Sequence, residues 1–374
     1  AWGAGELHKV KAIAGTALTL GLALGVLVAL FGGAFTEALL GALGTPADVM
    51  PIAVGYARTM MLAMPGLLVF ILLTQLMRGV GDTVTPLLAL ALSTAVSCVL
   101  TPAFIRGWFG LPQLGVTSAA VAAIASFLSA LAFLAWFMRR KGHPLAPDRA
   151  LLRAMRVDPA WLKLVVKLGL PTGVQMIVIS IAEIALLAIV NGYGSNATAA
   201  YGAVTQVVNY VQFPALSIAI TASILGAQAI GAGRADQLRA ITRTALKMNL
   251  VVTGTLVVLG YLFSRHLMAL FITSAPVIEL AQTLLHIMLW SSLVFGCASV
   301  LGGVMRASGT VLVPTAISIA CLAFIEVPSA WSLSHVMGLN GVWMSYPITF
   351  AAMLLFQGLY YQLVWRKRSI VRMV

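Results

Sequence analysis

Two stretches of the sequence match at eight of sixteen positions: GAGRADQLRAITRTAL at 231–246 and GAGELHKVKAIAGTAL at 3–18. The same offset of 228 residues pairs further positions: Met77 with Met305, Arg78 with Arg306, Gly81 with Gly309, and Pro86 with Pro314. Shared hydrophobicity alone does not place Gly, Arg and Pro in register over a hundred residues. The two halves are therefore predicted to be structural repeats.

The composition indicates that lipid is the solvent of this chain. Of 374 residues, 61% are hydrophobic and only 9% are charged, whereas soluble domains carry about 25% charged residues. Ten apolar runs reach the roughly 20 residues that a membrane-crossing helix needs. They are 12–35, 50–77, 83–105, 116–138, 170–194, 198–230, 245–264, 280–304, 310–333 and 341–365. Segments of about ten residues with alternating polarity, typical of membrane barrels, are not found in the sequence.

The offset spans six predicted helices, so both halves point the same way. We predict an all-α polytopic membrane protein with two pseudo-symmetric lobes, formed by a parallel six-helix repeat. The counterpart of Asp158, where the second half opens, would fall about 70 residues before residue 1. Ten transmembrane helices of an inferred twelve are therefore expected in an N-terminally truncated chain lacking helices 1 and 2. Residues 1–141 would be the rest of the N-lobe (helices 3–6), 142–158 a cytoplasmic linker, and 159–374 the C-lobe (helices 7–12) with a basic tail.

The basic residues behind the net charge of +13 are distributed between the loops as membrane topology requires, so they do not indicate binding of nucleic acid. If the ten spans alternate in direction, only Arg106 and Arg265 fall in the loops of one side, and Arg58 falls within a span. The other Lys and Arg residues, from Lys9 to Arg372, lie on the opposite side. This positive-inside asymmetry predicts a cytoplasmic (inner) membrane protein with both ends of this chain in the cytoplasm.

Several segments resemble one transporter family. QAIGAGRADQLRAITRTAL (228–246) is similar to the loop between helices 8 and 9 of MATE (multidrug and toxic compound extrusion) transporters, members of the MOP flippase superfamily. LMRGVGDTVTPL (76–87), KLGLPTGVQ (167–175) and WGAGE (2–6) resemble further loops and helix starts of that family. The resemblance implies two six-helix lobes around a cleft and export of organic compounds against an ion gradient.

Two carboxylates lie well inside predicted spans, Glu183 and Glu326. An acidic residue at a helix centre costs roughly 3 kcal/mol on insertion scales, so a function or a partner is expected. Glu183 lies about 20 Å from the cytoplasmic end of its helix and Glu326 about 24 Å. Both are therefore predicted to lie in the outer half of the same lobe.

A polar stripe is predicted near these acids. Gln175 shares a helix face with Glu183, two turns away. On the next span, amides recur at i, i+3 and i+6, with two more polar side chains beside them: Gln206, Asn209, Gln212, Thr205 and Tyr210. Because lipid-facing amides are costly, the stripe is expected to point inward. These residues and the two acids form the candidate site for ion coupling and substrate binding; an alternative is that the amides bond to neighbouring helices.

A proton relay and a bound metal ion have less support in the sequence than the acid pair. His286 could relay protons or could be a hydrogen-bonded structural histidine. Na⁺ could bind at Glu183 and Glu326, whereas Cys98, Cys297 and Cys321 lack metal-like spacing. In many MATE proteins the glutamate of helix 7 lies about one turn nearer the Leu-Pro start of the helix, and the second acid is on helix 10. Here the span 280–304 has no acid, which separates this chain from that pattern.

The sequence predicts a secondary antiporter that expels amphipathic, often cationic, organic compounds in exchange for H⁺ or Na⁺. A carboxylate removed from bulk water holds a proton more tightly and can exchange it near physiological pH. No cofactor is expected beyond the coupling ion, and the protein is expected to be a monomer in the bilayer. A flippase or exporter of lipid-linked or anionic metabolites remains an alternative, although such a cleft should be lined by Arg or Lys and Arg58 is the only candidate within a span. A membrane-embedded enzyme is disfavoured because motifs such as GxSxG and HExxH are absent from the sequence.

Overall fold

The computed structural model describes residues 1–42, 45, 47–155 and 158–368, and the regular structure within those ranges is helical. Two of the basic residues that contribute to the charge asymmetry, Arg156 and Arg372, lie outside the described residues. The helices, in chain order, are α1 Leu7–Ala42, α2 Met50–Gly79, α3 Val84–Arg106, α4 Ser118–Lys141, α5 Arg149–Ala154, α6 Pro159–Asn191, α7 Ser195–Gly231, α8 Leu238–Leu262, α9 Ser264–Ala269, α10 Ala275–Met288, α11 Ser291–Ala307, α12 Leu312–Cys321, α13 Val327–Met337 and α14 Leu339–Leu363.

The helices confirm a polytopic membrane fold. Within the described ranges, nine helical segments are long and apolar enough to cross a bilayer, and α10 with α11 forms a pair bent by 40° that would make a tenth. The segment from α12 to α13 counts as one of the nine. The span predicted at 170–194 begins earlier, because Asp158 Oδ1 accepts the amide of Ala160 at 2.9 Å and Pro159 fits the first turn of α6.

Equivalent positions of the sequence repeat share the same backbone conformation. Gly5 and Gly233 have φ values of 74° and 73°, and Gly81 and Gly309 have 92° and 79°. These left-handed values favour glycine because it lacks a Cβ. The amides of Gly81 and Gly309 also donate to the carbonyls of the preceding repeat-related arginines, at 3.0 and 2.9 Å. The glycines that match in the sequence therefore form the same turns in both halves.

The chain divides into two compact units. The first contains residues 1–2 and 6–165, and the second contains residues 3–5 and 166–374. Met77, Leu134 and Leu145 lie in the core of the first unit, where each is at most 1% exposed. The core of the second unit surrounds Trp343 and Leu284, which are fully buried.

A carboxylate–imidazole pair joins two loops of the first unit. Asp82 Oδ1 accepts the amide of Thr85 at 3.0 Å, and its Oδ2 lies 3.7 Å from His143 Nε2. His143 Nδ1 accepts the amide of Leu145 at 3.1 Å, so this nitrogen carries no proton. Burial lowers the pKa of His143 by more than the Asp82 charge raises it. Burial raises the pKa of Asp82, but the hydrogen bonds of Thr85 and the His143 charge outweigh it and leave that pKa below its usual value.

Acid is therefore expected to destabilise the first unit. Both folded pKa values lie below their ordinary ones, so the unfolded chain binds more protons and stability is lost as the pH falls. The contribution of His143 is complete above its ordinary pKa of 6.5 and declines as the pH drops through the lower folded value. His143→Asn keeps an acceptor for Leu145 but cannot titrate. The melting temperature in detergent, measured from pH 7.5 to 5.5, should fall less steeply for this variant than for the wild type. His8→Asn, at an exposed position, is the control, and equal slopes for His143→Asn and wild type would contradict the argument.

Candidate functional site

Glu326 lies at the end of an irregular helical turn. Residues Leu322–Glu326 form a π-helical turn between α12 and α13, in which the amide of Val327 donates to the carbonyl of Leu322. Pro328 follows two residues after the acid and has no N–H for the carbonyl of Phe324, so one α-helical hydrogen bond is lost at this point. Such turns often mark functional positions. Glu326 itself is only 3% exposed.

Glu183 lies on α6, and its side chain is exposed, next to the buried Ala182. The two carboxylates nevertheless lie close enough for Glu183 to act electrostatically on Glu326. The structure therefore places the two in-span acids of the sequence in one region of the second unit.

Two tyrosines stand beside the acid pair. The hydroxyl oxygens of Tyr201 on α7 and Tyr346 on α14 are 3.2 Å apart. The charges of Glu183 and Glu326 both reach each of these tyrosines. Tyr201 also packs on the buried ring of Trp343, with ring centroids 5.1 Å apart. Four helical segments thus contribute to one cluster of two carboxylates and two phenols, which we call the acid–tyrosine cluster.

The acids of this cluster lack basic partners. Within the described residues, no Lys, Arg or His nitrogen lies within 4.0 Å of the Glu183 or Glu326 carboxylate. A structural role in a buried ion pair is therefore not supported. Two carboxylates that interact electrostatically without a fixed cation can attract a proton, a metal ion or an organic cation.

The predicted polar stripe lies on the uncovered side of α7. Val204, Val207 and Val208 face the core, whereas Gln206 and Tyr210 are exposed and Thr205, Asn209 and Gln212 are half-buried. Gln175 on α6 is half-buried too. Within the described part of the chain, the four amide side chains form no hydrogen bond with either acid. Their role as binding groups stays a prediction.

His286 contacts a different set of residues. Its Nε2 lies 3.0 Å from Ser264 Oγ, which also accepts from the Gln282 amide at 3.0 Å. The imidazole packs on Tyr261, with ring centroids 5.2 Å apart. These contacts fit a hydrogen-bonded structural histidine, the alternative that the sequence left open, and the proton-relay role stays a prediction.

Sequence reasoning missed Tyr201, Tyr346 and the π-helical turn. The signal for the turn was present, because an acid followed two residues later by Pro328 is unusual inside an apolar span. Tyr201 lies one helical turn before Thr205, on the side of α7 that faces the core. Tyr346 had no comparable signal, because its position beside the acids depends on how α14 packs.

The comparisons with known proteins agree with the sequence resemblance. The MatE family model matches residues 1–103 and 171–332. The "Probable multidrug resistance protein YoeA" of Bacillus subtilis (strain 168) is 42% identical over 376 residues, covering 100% of this chain and 81% of that protein. The "FAD transporter" of Shewanella oneidensis is 24% identical over 347 residues, covering 93% of this chain and 76% of that protein.

A solved structure shows the same fold. A mutant of the Vibrio cholerae MATE transporter VcmN superposes with a TM-score of 0.86 at 18% identity. The match covers 99% of this chain and 87% of the VcmN chain. At 18% identity this likeness shows the fold alone. The family model and the Bacillus relative also show the family. This chain belongs to the MatE family of multidrug and toxic compound extrusion transporters.

Proposed function

We propose that this protein is a secondary antiporter that exports amphipathic organic cations in exchange for H⁺ or Na⁺ through the acid–tyrosine cluster. The observation that carries the proposal is the pairing of Glu183 and Glu326 in one region with no basic side chain, within the described residues, inside 4.0 Å of either acid. The name of the Bacillus relative also supports drug export.

The acid pair can hold one cation at a time. Glu183 is exposed and would be the first carboxylate that an organic cation meets, whereas Glu326 is nearly covered. Two adjacent negative charges repel each other, and a bound proton, Na⁺ or organic cation relieves that repulsion. Proton and drug therefore compete for the same charge, and each weakens the binding of the other.

The tyrosine pair would respond to a cation bound at the acids. Tyr201 and Tyr346 share a hydrogen bond at 3.2 Å, and both lie within the field of the carboxylates. A phenol can donate to a carboxylate or to the neighbouring phenol, so the direction of this hydrogen bond can change when a cation arrives. Aromatic faces next to an acid also suit organic cations.

The ion gradient supplies enough free energy for export. One proton contributes about 1.4 kcal/mol per pH unit and about 2.3 kcal/mol per 100 mV of membrane potential. For a monovalent organic cation exchanged one for one, the electrical contributions of the entering proton and the leaving cation cancel. One pH unit then permits a concentration ratio of about ten, because each 1.4 kcal/mol corresponds to a factor of ten. Na⁺ at the same carboxylates would follow the same logic.

An anionic substrate is the second candidate. The Shewanella relative is named an FAD transporter, and FAD carries phosphates that arginine side chains bind well. Arg58, the in-span arginine, already donates from Nε to the carbonyl of Gly33 at 3.3 Å and lies 4.0 Å from Glu37. A cationic substrate therefore fits the charges near the acid–tyrosine cluster better.

Drug resistance tests the proposal in cells. The protein, expressed in a drug-sensitive bacterial strain, is expected to raise the inhibitory concentration of ethidium and tetraphenylphosphonium. Glu183→Gln should remove this resistance because glutamine keeps the size of the side chain but not its charge. Glu279→Gln, an exposed acid at the start of α10, is the matched control and should keep it. Unchanged resistance in a well-expressed Glu183→Gln variant would refute the carboxylate mechanism, and secretion of flavin without drug resistance would favour the anionic substrate.

A further inference from the structure

A groove on the first unit lies outside the acid–tyrosine cluster. It has a volume of about 670 Å³ and runs along the last turns of α4. Its floor is formed by the small side chains of Ala132 and Ala135, and one end is bordered by Trp136, Arg139 and Arg140. All five residues lie on α4, so the groove is a shallow, open depression of the helix surface with small apolar side chains along it and a cationic end.

The cationic end of the groove is preorganised. Arg139 donates from Nε and from a terminal nitrogen to the carbonyl of Pro147, at 3.1 and 2.9 Å. This acceptor is neutral, so the guanidinium keeps its full positive charge. The Arg140 guanidinium lies 5.4 Å from the centre of the Trp136 ring. Lys141 follows, with its ammonium 4.5 Å from the Phe137 ring centre.

No acidic side chain of the described residues lines this groove. Asp148, the residue after Pro147, pairs with Lys11 at 2.5 Å and accepts the amide of Leu151 at 2.7 Å. Its charge is therefore already balanced elsewhere. The end of the groove therefore has an excess of positive charge, which favours binding of an anion.

The depth of the groove in the membrane indicates that its ligand is a lipid. Trp136 is 54% exposed, and it lies two residues before the end of a predicted span, where indoles typically mark the membrane–water interface. Basic residues at the cytoplasmic end of a transmembrane helix attract the phosphates of anionic lipids. An acyl chain can lie over Ala132 and Ala135 while the phosphate meets the two arginines.

We propose that this groove binds an anionic glycerophospholipid, with its phosphate at Arg139 and Arg140 and an acyl chain beside Trp136. This proposal does not depend on the transport mechanism, and it applies whichever compound the protein exports. Each of the two arginines is expected to increase the preference for an anionic over a zwitterionic lipid by about fivefold.

Quenching of Trp136 fluorescence tests the proposal. The protein is reconstituted into phosphatidylcholine vesicles that contain increasing fractions of dibrominated phosphatidylglycerol or dibrominated phosphatidylcholine. The difference between wild type and Trp136→Phe isolates the signal of this indole. We expect half-maximal quenching at a mole fraction of the brominated phosphatidylglycerol at least fivefold lower than that of the brominated phosphatidylcholine.

Charge variants identify the groups involved. Arg140→Gln should reduce the preference about fivefold, and Arg139→Gln combined with Arg140→Gln should abolish it. The single Arg140 variant remains informative if the double variant misfolds, because Arg140 forms no hydrogen bond within the described residues. Removal of two charges at the end of α14, Arg366→Gln with Lys367→Gln, is the control and should leave the preference unchanged.

Three outcomes would overturn the proposal. Equal quenching by both brominated lipids would mean that the groove holds ordinary bulk lipid. A preference that survives in the folded double arginine variant would place the anion elsewhere. Relief of the quenching by sn-glycerol 3-phosphate in the aqueous phase, at constant ionic strength, would mean that the arginines prefer a soluble phosphate to the lipid.

Discussion

Replacing Glu326 with glutamine is expected to stop uphill drug export and to remove the pH dependence of drug binding. The change preserves the volume of a side chain that is 3% exposed, but it removes a charge that interacts electrostatically with Glu183. Interactions with charged groups contribute about 1.5–3 kcal/mol, so the affinity for an organic cation should fall roughly 10- to 100-fold. Binding of tetraphenylphosphonium at pH 6 and pH 8, and ethidium uptake into inverted proteoliposomes under an imposed pH gradient, measure the two effects.

The result is specific only if another acid of the same unit behaves differently. Glu279→Gln removes an exposed carboxylate from α10 and should leave both binding and uptake close to wild type. If Glu326→Gln still concentrates ethidium against its gradient, Glu326 has no part in coupling. If both variants lose activity equally, the loss reflects the total charge of the unit and the acid pair has no special role.

Replacing Gly303 with alanine is expected to cause a large loss of stability for the addition of a single methyl group. Gly303 on α11 packs against the carbonyl of Ala219 on α7, and a Cβ at position 303 would overlap that backbone oxygen. The packing of α7 against α11 is the most extensive helix pairing of the second unit. Because neither backbone can yield without disturbing this packing, a cost of about 1–3 kcal/mol is expected.

A glycine with free space provides the control. A Cβ at Gly254 on α8 would have its nearest neighbour, Leu293 Cδ1, at 4.0 Å. Alanine is the better helix former by about 1 kcal/mol, so Gly254→Ala should equal or exceed the wild type in melting temperature. Gly303→Ala should melt several degrees lower in the same detergent. Equal melting temperatures for the two variants would show that the close approach at Gly303 relaxes at no cost.

The helices and the repeat could be predicted from the sequence because their causes are local. A run of apolar residues long enough to cross a bilayer has few alternatives to a helix, since every backbone polar group must be paired internally. The turns at Gly81 and Gly309 need a left-handed conformation that glycine adopts most easily, and the residue types show it. The start of α6 was placed too late because hydropathy does not register the polar first turns that Asp158 caps.

The candidate site could be predicted only in part. Two acids inside apolar spans are conspicuous in any sequence, so Glu183 and Glu326 were found. Tyr201 and Tyr346 come together from positions 145 residues apart, and that contact depends on where the folded unit places α7 and α14. The amides at Gln206, Asn209 and Gln212 were predicted to point inward, but periodicity gives only their common face and not the residues that cover it.

The release of protons on drug binding tests the central claim most directly. In weakly buffered detergent solution, saturation of the protein with tetraphenylphosphonium should release protons, because cation and proton compete for the charge of Glu183 and Glu326. The variant carrying both Glu183→Gln and Glu326→Gln should release none. Equal proton release by the wild type and the double variant would contradict a shared site at these two carboxylates.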